Sequence, residues 1–179
     1  MVEGARKKAE ELGFTTILFP RIGVTVEARE LGNVLSELAL QSEGADPTIL
    51  GSGTPFTPPC ILLSSGESIV TVGTSAATAQ GGRNQEFALA SALRIRGSTR
   101  ITIAAVDSDG TDGPTNVAGG LIDGYTVTRA ENMGIDIFKA LRTHNSTTAL
   151  TKLNDAIITG HTGMNLMDLR VISISEKRS

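Results

Sequence analysis

GGRNQEFALASALRIRGSTRITIAAVDSDG, residues 81–110, is the stretch on which the fold turns. It opens on two glycines and an arginine and continues through residues 84–96, which are apolar almost all round, as a helix enclosed in a core would be. Ile101–Val106 then has the length and composition of a buried strand, and it empties directly into an aspartate- and glycine-rich loop. Turn, buried helix, strand and glycine loop in that order are the parts of an α/β domain.

The flanks extend the same alternation. Ala5, Ala9 and Leu12 recur at helical spacing before Gly13, a natural helix terminator, and Thr15–Phe19 reads as a strand closed by Pro20. Ala28, Leu31, Val34, Leu35, Leu38 and Ala39 form one stripe of a helix over residues 27–42, with Glu27 and Glu30 at its positive start. Residues 44–59 are rich in glycine and proline and predict a surface loop. Cys60–Leu63 and Ser68–Val72 are β-prone runs separated by SSGE, which predicts an antiparallel hairpin. Helical stretches follow near Thr126–Asn132 and Asp136–Leu141, and a last strand near Leu169–Ile174. The expectation is one domain over residues 1–179: a three-layer α/β sandwich whose mixed, mostly parallel sheet carries helices on both faces.

Composition narrows the function classes. With 40% hydrophobic and 20% charged residues in 179, the chain is ordinary for a folded domain, which argues against disorder. Sixteen Lys and Arg against nineteen Asp and Glu give a net charge of −3 with no basic run, which argues against a nucleic-acid partner. The single Cys60 rules out an internal disulfide and any multi-cysteine zinc site, and His144 and His161 lie too far apart in sequence to suggest a metal pair. Charges throughout MVEGARKKAEELG and the absence of a long apolar run predict a cytoplasmic protein without a membrane span. The 20 glycines point to several tight loops.

Three of those loops carry candidate chemistry. In TAQGGRNQE, residues 78–86, Gly81, Gly82 and Arg83 precede a strong helix, so free amides, the helix dipole and a guanidinium can converge on an anion; the plainer reading is a glycine turn with Asn84 as N-cap. VDSDGTDGPTN, residues 106–116, sets Asp107, Asp109 and Asp112 at a strand end, where α/β sheets bind ligands and where carboxylates suit magnesium shared with substrate phosphates. A calcium loop beginning at Asp107 fails, because Asp112 falls where glycine is required and Ala118 where glutamate is. ITGHTGMNLMDL, residues 158–169, offers Thr159, Thr162 and Asn165 to a phosphate or polyol, and Glu67 of LSSGES can face the same cleft. Neither a G-x-x-x-x-G-K-[ST] phosphate loop nor a G-x-G-x-x-G dinucleotide turn is present.

GGRNQE, DSDGTDGPTNVAGG and TGHTGMNLMDL, in this order and spacing, resemble the C-terminal MOFRL-type domain of the glycerate 2-kinase family, whose members also go under the name hydroxypyruvate reductase. The resemblance covers nearly the whole chain. It implies ATP-dependent phosphorylation of the 2-hydroxyl of glycerate with magnesium as cofactor, in a cleft shared with a larger N-terminal Rossmann-like domain to which no residues here correspond. Carried over by position, Arg83 matches the family's functional arginine, with Asn84, Glu86, Asp109, Asp112 and Thr115 in its signature segments. The resemblance puts Arg83, Asp109 and Asp112 at the chemistry, the two aspartates with the metal or the attacking hydroxyl. Gly81, Gly82, Asn84, Glu86, Thr115, Thr159, Thr162 and Asn165 are assigned to substrate or phosphate. The sequence departs from the family at Met164 and Met167, where threonine and asparagine are usual. Incomplete by itself, the chain is expected to be inactive alone; an oxidoreductase, and a non-catalytic module or split-gene subunit, are the alternatives. Oligomeric state stays open.

Overall fold

Local rules set the first elements. A computed structural model describes residues 1–23, 25–43, 57–73 and 79–176. Helix α1 (Val2–Glu11) stops where Gly13 takes φ +86° and the amides of Gly13 and Phe14 turn back to Glu10 and Ala9. β1 (Thr15–Leu18), α2 (Ala28–Glu43), β2 (Cys60–Ser65), α3 (Arg83–Arg94) and β3 (Ile101–Asp107) follow. Then come β4 (Gly119–Asp123), α4 (Thr126–Asn132), α5 (Ile137–Arg142), α6 (Ser146–Leu153), β5 (Ala156–Ile157) and β6 (Asp168–Ile174). The glycine- and proline-rich loop expected at 44–59 lies, over residues 44–56, outside the described residues.

All six strands form one mixed sheet in the order β1-β2-β6-β3-β4-β5. Helices pack on both of its faces, as expected. On one face α1 brings Ala9, with Val2 and Ala5, onto Ile61, Leu63 and Val171. The opposite face holds the main core, where Cys60, Leu62, Ile101, Ile103, Ala105, Ile172 and Ile174 meet α2 and α3. Alternation along the strands sorts the two faces: in β3 Ile101, Ile103, Ala105 and Asp107 are buried, and in β6 Asp168, Arg170, Ile172 and Ile174 are. Helix α3 lies at the centre, and every residue from Asn84 to Ala92 is buried, which is why its sequence shows no polar face.

Strand direction corrects the expectation of a mostly parallel sheet. Only β1 and β2, joined through α2, run parallel; β6 enters between β2 and β3 antiparallel to both, and β3–β4 and β4–β5 are antiparallel as well. A strand–helix–strand pattern implies parallel pairing only when the two strands become neighbours, and here β2 and β3 do not. The hairpin expected from SSGE is also absent: Ile69 and Gly66 make isolated parallel bridges to Glu27 and Ile22 rather than a second strand against β2. Two residues of the expected apolar stripes, Leu12 and Val34, face solvent.

This topology collects loop ends. The C-terminal ends of β2 and β3 lie beside the start of β6, with Ser65 paired to Leu169 and Asp107 to Asp168, and β4 starts there too, with Gly119 opposite Val106. Helix α3 also begins at this end, because its first turn binds the loop that leaves β3. Among the described residues no helix is long and apolar enough to cross a membrane.

Candidate functional site

Register creates the central electrostatic problem. Asp107 of β3 and Asp168 of β6 are cross-strand partners, both buried, and like charges placed opposite each other repel. Arg83, the first residue of α3, resolves it. Its Nε and Nη2 donate to the two oxygens of Asp168 at 2.8 and 3.0 Å, and Nη2 also donates to Asp107 at 2.8 Å and Glu67 at 3.3 Å. Arg170, fully buried and stacked 5.4 Å over the Phe87 ring, donates to Asp168 from behind at 3.1 Å. Burial works against the charge on Arg83, but Asp168, Glu67 and Asp107 overrule it and push its pKa up. Burial, together with the Asp168 and Asp109 charges, raises the Asp107 carboxyl despite the Asp109 amide and Arg83. The Arg83 edge formed by Nε and Nη2 is thus committed within the protein, and Nη1 alone has no partner among the described residues. The part of the guanidinium left to meet an external anion is thereby narrowed to that one nitrogen.

Asp112 has a second, separate task. Its Oδ2 accepts the Gln85 amide at 2.9 Å, and its Oδ1 accepts the Asn84 amide at 3.2 Å and Asn84 Nδ2 at 3.3 Å. A carboxylate from a distant loop therefore caps α3, whose N-cap residue Gly82 has no side chain to do so. A Cβ at Gly82 would overlap that carboxyl, which is the reason for glycine there. At the helix start that the sequence offers to an anion, the amides of Asn84 and Gln85 meet the Asp112 carboxyl of the protein itself. Burial raises the Asp112 pKa to about 6 against the lowering effect of the Gln85 and Asn84 amides.

The three loops read from sequence do meet. Gly110 takes φ +93° and packs against the Gly160 carbonyl, with no room for a side chain, and Gly113 packs in the same way against the Gly81 carbonyl. Thr162 donates its amide to Asp109 O at 3.0 Å and its hydroxyl to Ser108 O at 2.5 Å. Ser108 Oγ accepts the Leu166 amide at 2.6 Å, and the Ser108 amide donates to Met167 O at 3.2 Å. Met167 sits at φ +70°, a left-handed conformation that side chains other than asparagine and aspartate adopt less readily.

Asp109 stands at the rim. Its Oδ1 accepts the amide and the hydroxyl of Thr111, both at 2.8 Å, bonds that lower its pKa, and Oδ2 has no protein donor among the described residues. Thr159 and Asn165 are exposed in the loop that packs on Gly110 and Ser108, and among the described residues their side chains bond only to neighbouring backbone. Thr115 is internal to its loop, donating to Asp112 O at 2.9 Å. Glu86 is placed elsewhere than expected: it lies on the buried side of α3, 2.7 Å from His144 Nδ1 and 3.2 Å from Arg29 Nε, where burial raises its pKa against those partners. Asn84 is likewise buried, against Asp112. Asp168 and Arg170 were not singled out in the sequence, although two charges at i and i+2 on a strand put both on its buried face, a visible break in apolar alternation.

The fold and the loop cluster define the class: an α/β domain that presents one arginine, from a glycine turn, among carboxylates at one end of a mixed sheet. Comparison with known proteins makes this specific. The MOFRL family model matches residues 60–168. Glycerate 2-kinase of Pyrococcus horikoshii is 36% identical over 176 residues, 98% of this chain and 38% of the relative. D-glycerate 2-kinase of Thermotoga maritima is 34% identical over 165 residues, 92% of this chain and 37% of the relative. The crystal structure of a glycerate kinase from Thermotoga maritima superposes with TM-score 0.85 at 32% identity, covering 97% of this chain and 39% of that one. The chain belongs to the MOFRL family and aligns with the C-terminal part of glycerate kinases, spanning under two fifths of the length of these relatives.

Proposed function

We propose that this chain forms one wall of a glycerate 2-kinase site, in which the γ-phosphoryl group of ATP passes to the 2-hydroxyl of glycerate. The observation that carries the reading is the convergence of the three glycine-rich loops beside Arg83 in a chain whose relatives are named for this reaction. Phosphoryl transfer needs positioning and charge neutralisation more than covalent chemistry. Arg83 Nη1 is the donor left to meet a phosphate or the glycerate carboxylate. The loop of residues 159–165 adds exposed hydroxyl and amide groups from Thr159 and Asn165. The bond that forms joins the glycerate oxygen to the γ-phosphorus, the bond that breaks joins that phosphorus to the bridging oxygen that leaves with ADP, and the hydroxyl proton passes to solvent.

Magnesium fits this site in one particular way. Among the described residues no group of three or more His, Cys, Asp or Glu side chains is arranged to hold a metal. Asp112 has both oxygens engaged at the start of α3, so of the two aspartates expected at the metal only Asp109 keeps an open oxygen, Oδ2, among the described residues. One carboxylate suits a cation that brings its remaining oxygen ligands on nucleotide phosphates. Held there, magnesium would supply charge neutralisation for the transferring group.

A pyruvate-kinase-coupled ADP assay with ATP, magnesium and glycerate, run on the purified chain with and without the N-terminal domain of a full-length relative, tests the reading. We expect no turnover from the chain alone, because catalysis by positioning needs both walls of a cleft, and glycerate-dependent ADP release once the second wall is supplied. Robust release by the chain alone defeats the half-site argument. Oxidation of NADH by hydroxypyruvate in separate mixtures that contain no ATP and no coupling enzymes, with no ADP release in the first assay, would favour the reductase.

A further inference from the structure

The glycine turn that carries Arg83 is held from behind by a segment that none of the three signature loops contains. Between α5 and α6 the chain passes through His144 at φ +52° and turns its backbone onto residues 80 and 81. The Thr147 amide donates to Gln80 O at 3.0 Å, and the Thr147 hydroxyl donates to Gln85 Oε1 at 2.5 Å. Gln85 Nε2 in turn donates to Asp112 O at 3.1 Å and Thr115 Oγ1 at 3.2 Å, so one amide side chain joins this segment to the aspartate loop. A Cβ on Gly81 would overlap Ser146 Oγ and sit 3.1 Å from His144 O. One residue past Gln85, Glu86 locks the same segment through its 2.7 Å contact with His144 Nδ1, with both groups buried. Three hydrogen bonds therefore run from residues 144–147 to Gln80, Gln85 and Glu86 around Arg83, Gly81 approaches the same segment closely, and none of these contacts touches the guanidinium.

We propose that the α5–α6 segment is a brace for the Arg83 turn, with Thr147 and His144 as positioning residues: they fix where the guanidinium emerges by fixing the backbone on either side of it. The proposal rests on Arg83 being the anion-facing group, yet its geometry can be measured without turnover. Two contacts flank Arg83, at Gln80 and at Gln85, and a helix start held on both sides cannot rotate to follow a ligand. Preorganisation of that kind is what an arginine with a single free nitrogen needs, since a small tilt of the turn would move Nη1 off its target.

The test compares Thr147→Val, which keeps the shape and the amide but loses the hydroxyl, with Thr147→Ser, which restores it, and adds His144→Asn, since asparagine tolerates the left-handed backbone. Amide hydrogen exchange and the NMR signal of the Arg83 Nε–H, held by Asp168, are read on the chain as it is. We expect the amides of Asn84–Glu86 and Thr147 to exchange at least tenfold faster in Thr147→Val and in His144→Asn, the Arg83 signal to shift or broaden, and β3 amides to stay as in the parent, with Thr147→Ser parent-like. Uniform acceleration across the chain would reduce the segment to general stability and overturn the brace, as would an unchanged Arg83 signal or exchange unaltered in Thr147→Val. Because none of these readouts involves ATP or glycerate, failure of the kinase reading in the ADP assay leaves this result standing, and the converse holds as well.

Discussion

Arg83 is costly to remove for reasons that have nothing to do with a substrate. Asp168 is fully buried and Asp107 nearly so, and Arg83 is the guanidinium that bridges the two across the sheet, while Arg170 pairs with Asp168 alone. Arg83→Ala is therefore expected to destabilise the fold by about 3 kcal/mol, the low end for breaking a buried ion pair, because Arg170 continues to pair with Asp168. Urea denaturation checks this, and a loss under about 1 kcal/mol would show the carboxylates to be relieved in another way. Lysine is no substitute, since it cannot donate to Asp168 with two nitrogens at once. Asp112 makes the second residue-scale prediction. Its pKa, raised by burial to about 6, means that the folded state holds the proton more tightly than the unfolded chain. Its contribution to stability is accordingly full below the unfolded value near pH 4 and is lost as the pH rises through about 6. A carboxyl ¹³C titration of Asp112 should show a midpoint near 6, and one below 4 would mean that the amides of Asn84 and Gln85 outweigh burial.

At the scale of elements, α2 and α3 press together where Gly32 meets Phe87 and Ser91, with Ser91 Oγ donating to Gly32 O at 3.4 Å. A Cβ at Gly32 would lie 2.8 Å from the Phe87 carbonyl oxygen, a backbone atom of a helix buried on every side. Alanine in place of glycine gains about 1 kcal/mol of helix propensity, but the overlap forces the helices apart at a cost of about 1 to 3 kcal/mol. Gly32→Ala should thus lower stability by about 1 kcal/mol, and a rise in the melting temperature would show the interface to be slack. Elements also mark where the sequence was legible. Helices α1 to α5 and strands β1, β2, β3 and β6 announce themselves through periodicity, caps and short apolar runs, all of which are local signals. β4, with two glycines, β5, with two residues, and α6, with its run of threonines, carry little of that signal and escaped it. Ser68–Val72 looked like a strand and is none, because strand propensity cannot say whether a partner edge is free, and the β2 edges are taken by β1 and β6. The site divides along the same line: glycine loops are visible as composition, whereas the cap from Asp112 to α3 and the bond from Asp168 to Arg83 depend on which chain segments become neighbours.

For the molecule as a whole, β6 is the joint. It pairs over six residues with β2 and over seven with β3, and these two strands have no contact in the sheet except through it. Without β6 the sheet falls into a β1–β2 pair and a β3–β4–β5 piece, each with an edge bared, so thermal unfolding should be one cooperative transition, with circular dichroism and the chemical shifts of β1 and β4 changing together. Two separated transitions would mean that the β1–β2 and β3–β5 halves stand independently. The same strand supplies Asp168 and Arg170, and so the anchor of Arg83 is part of the joint. A ribosome delivers the chain in the other order: β2 and β3 emerge with bare edges, and the strip that belongs between them is translated more than sixty residues after β3. Until then each edge is an open template for another nascent chain. The arginine cage closes last, as the final stitch of synthesis, and a chain stalled before Asp168 leaves the ribosome with a sheet in two pieces and no site.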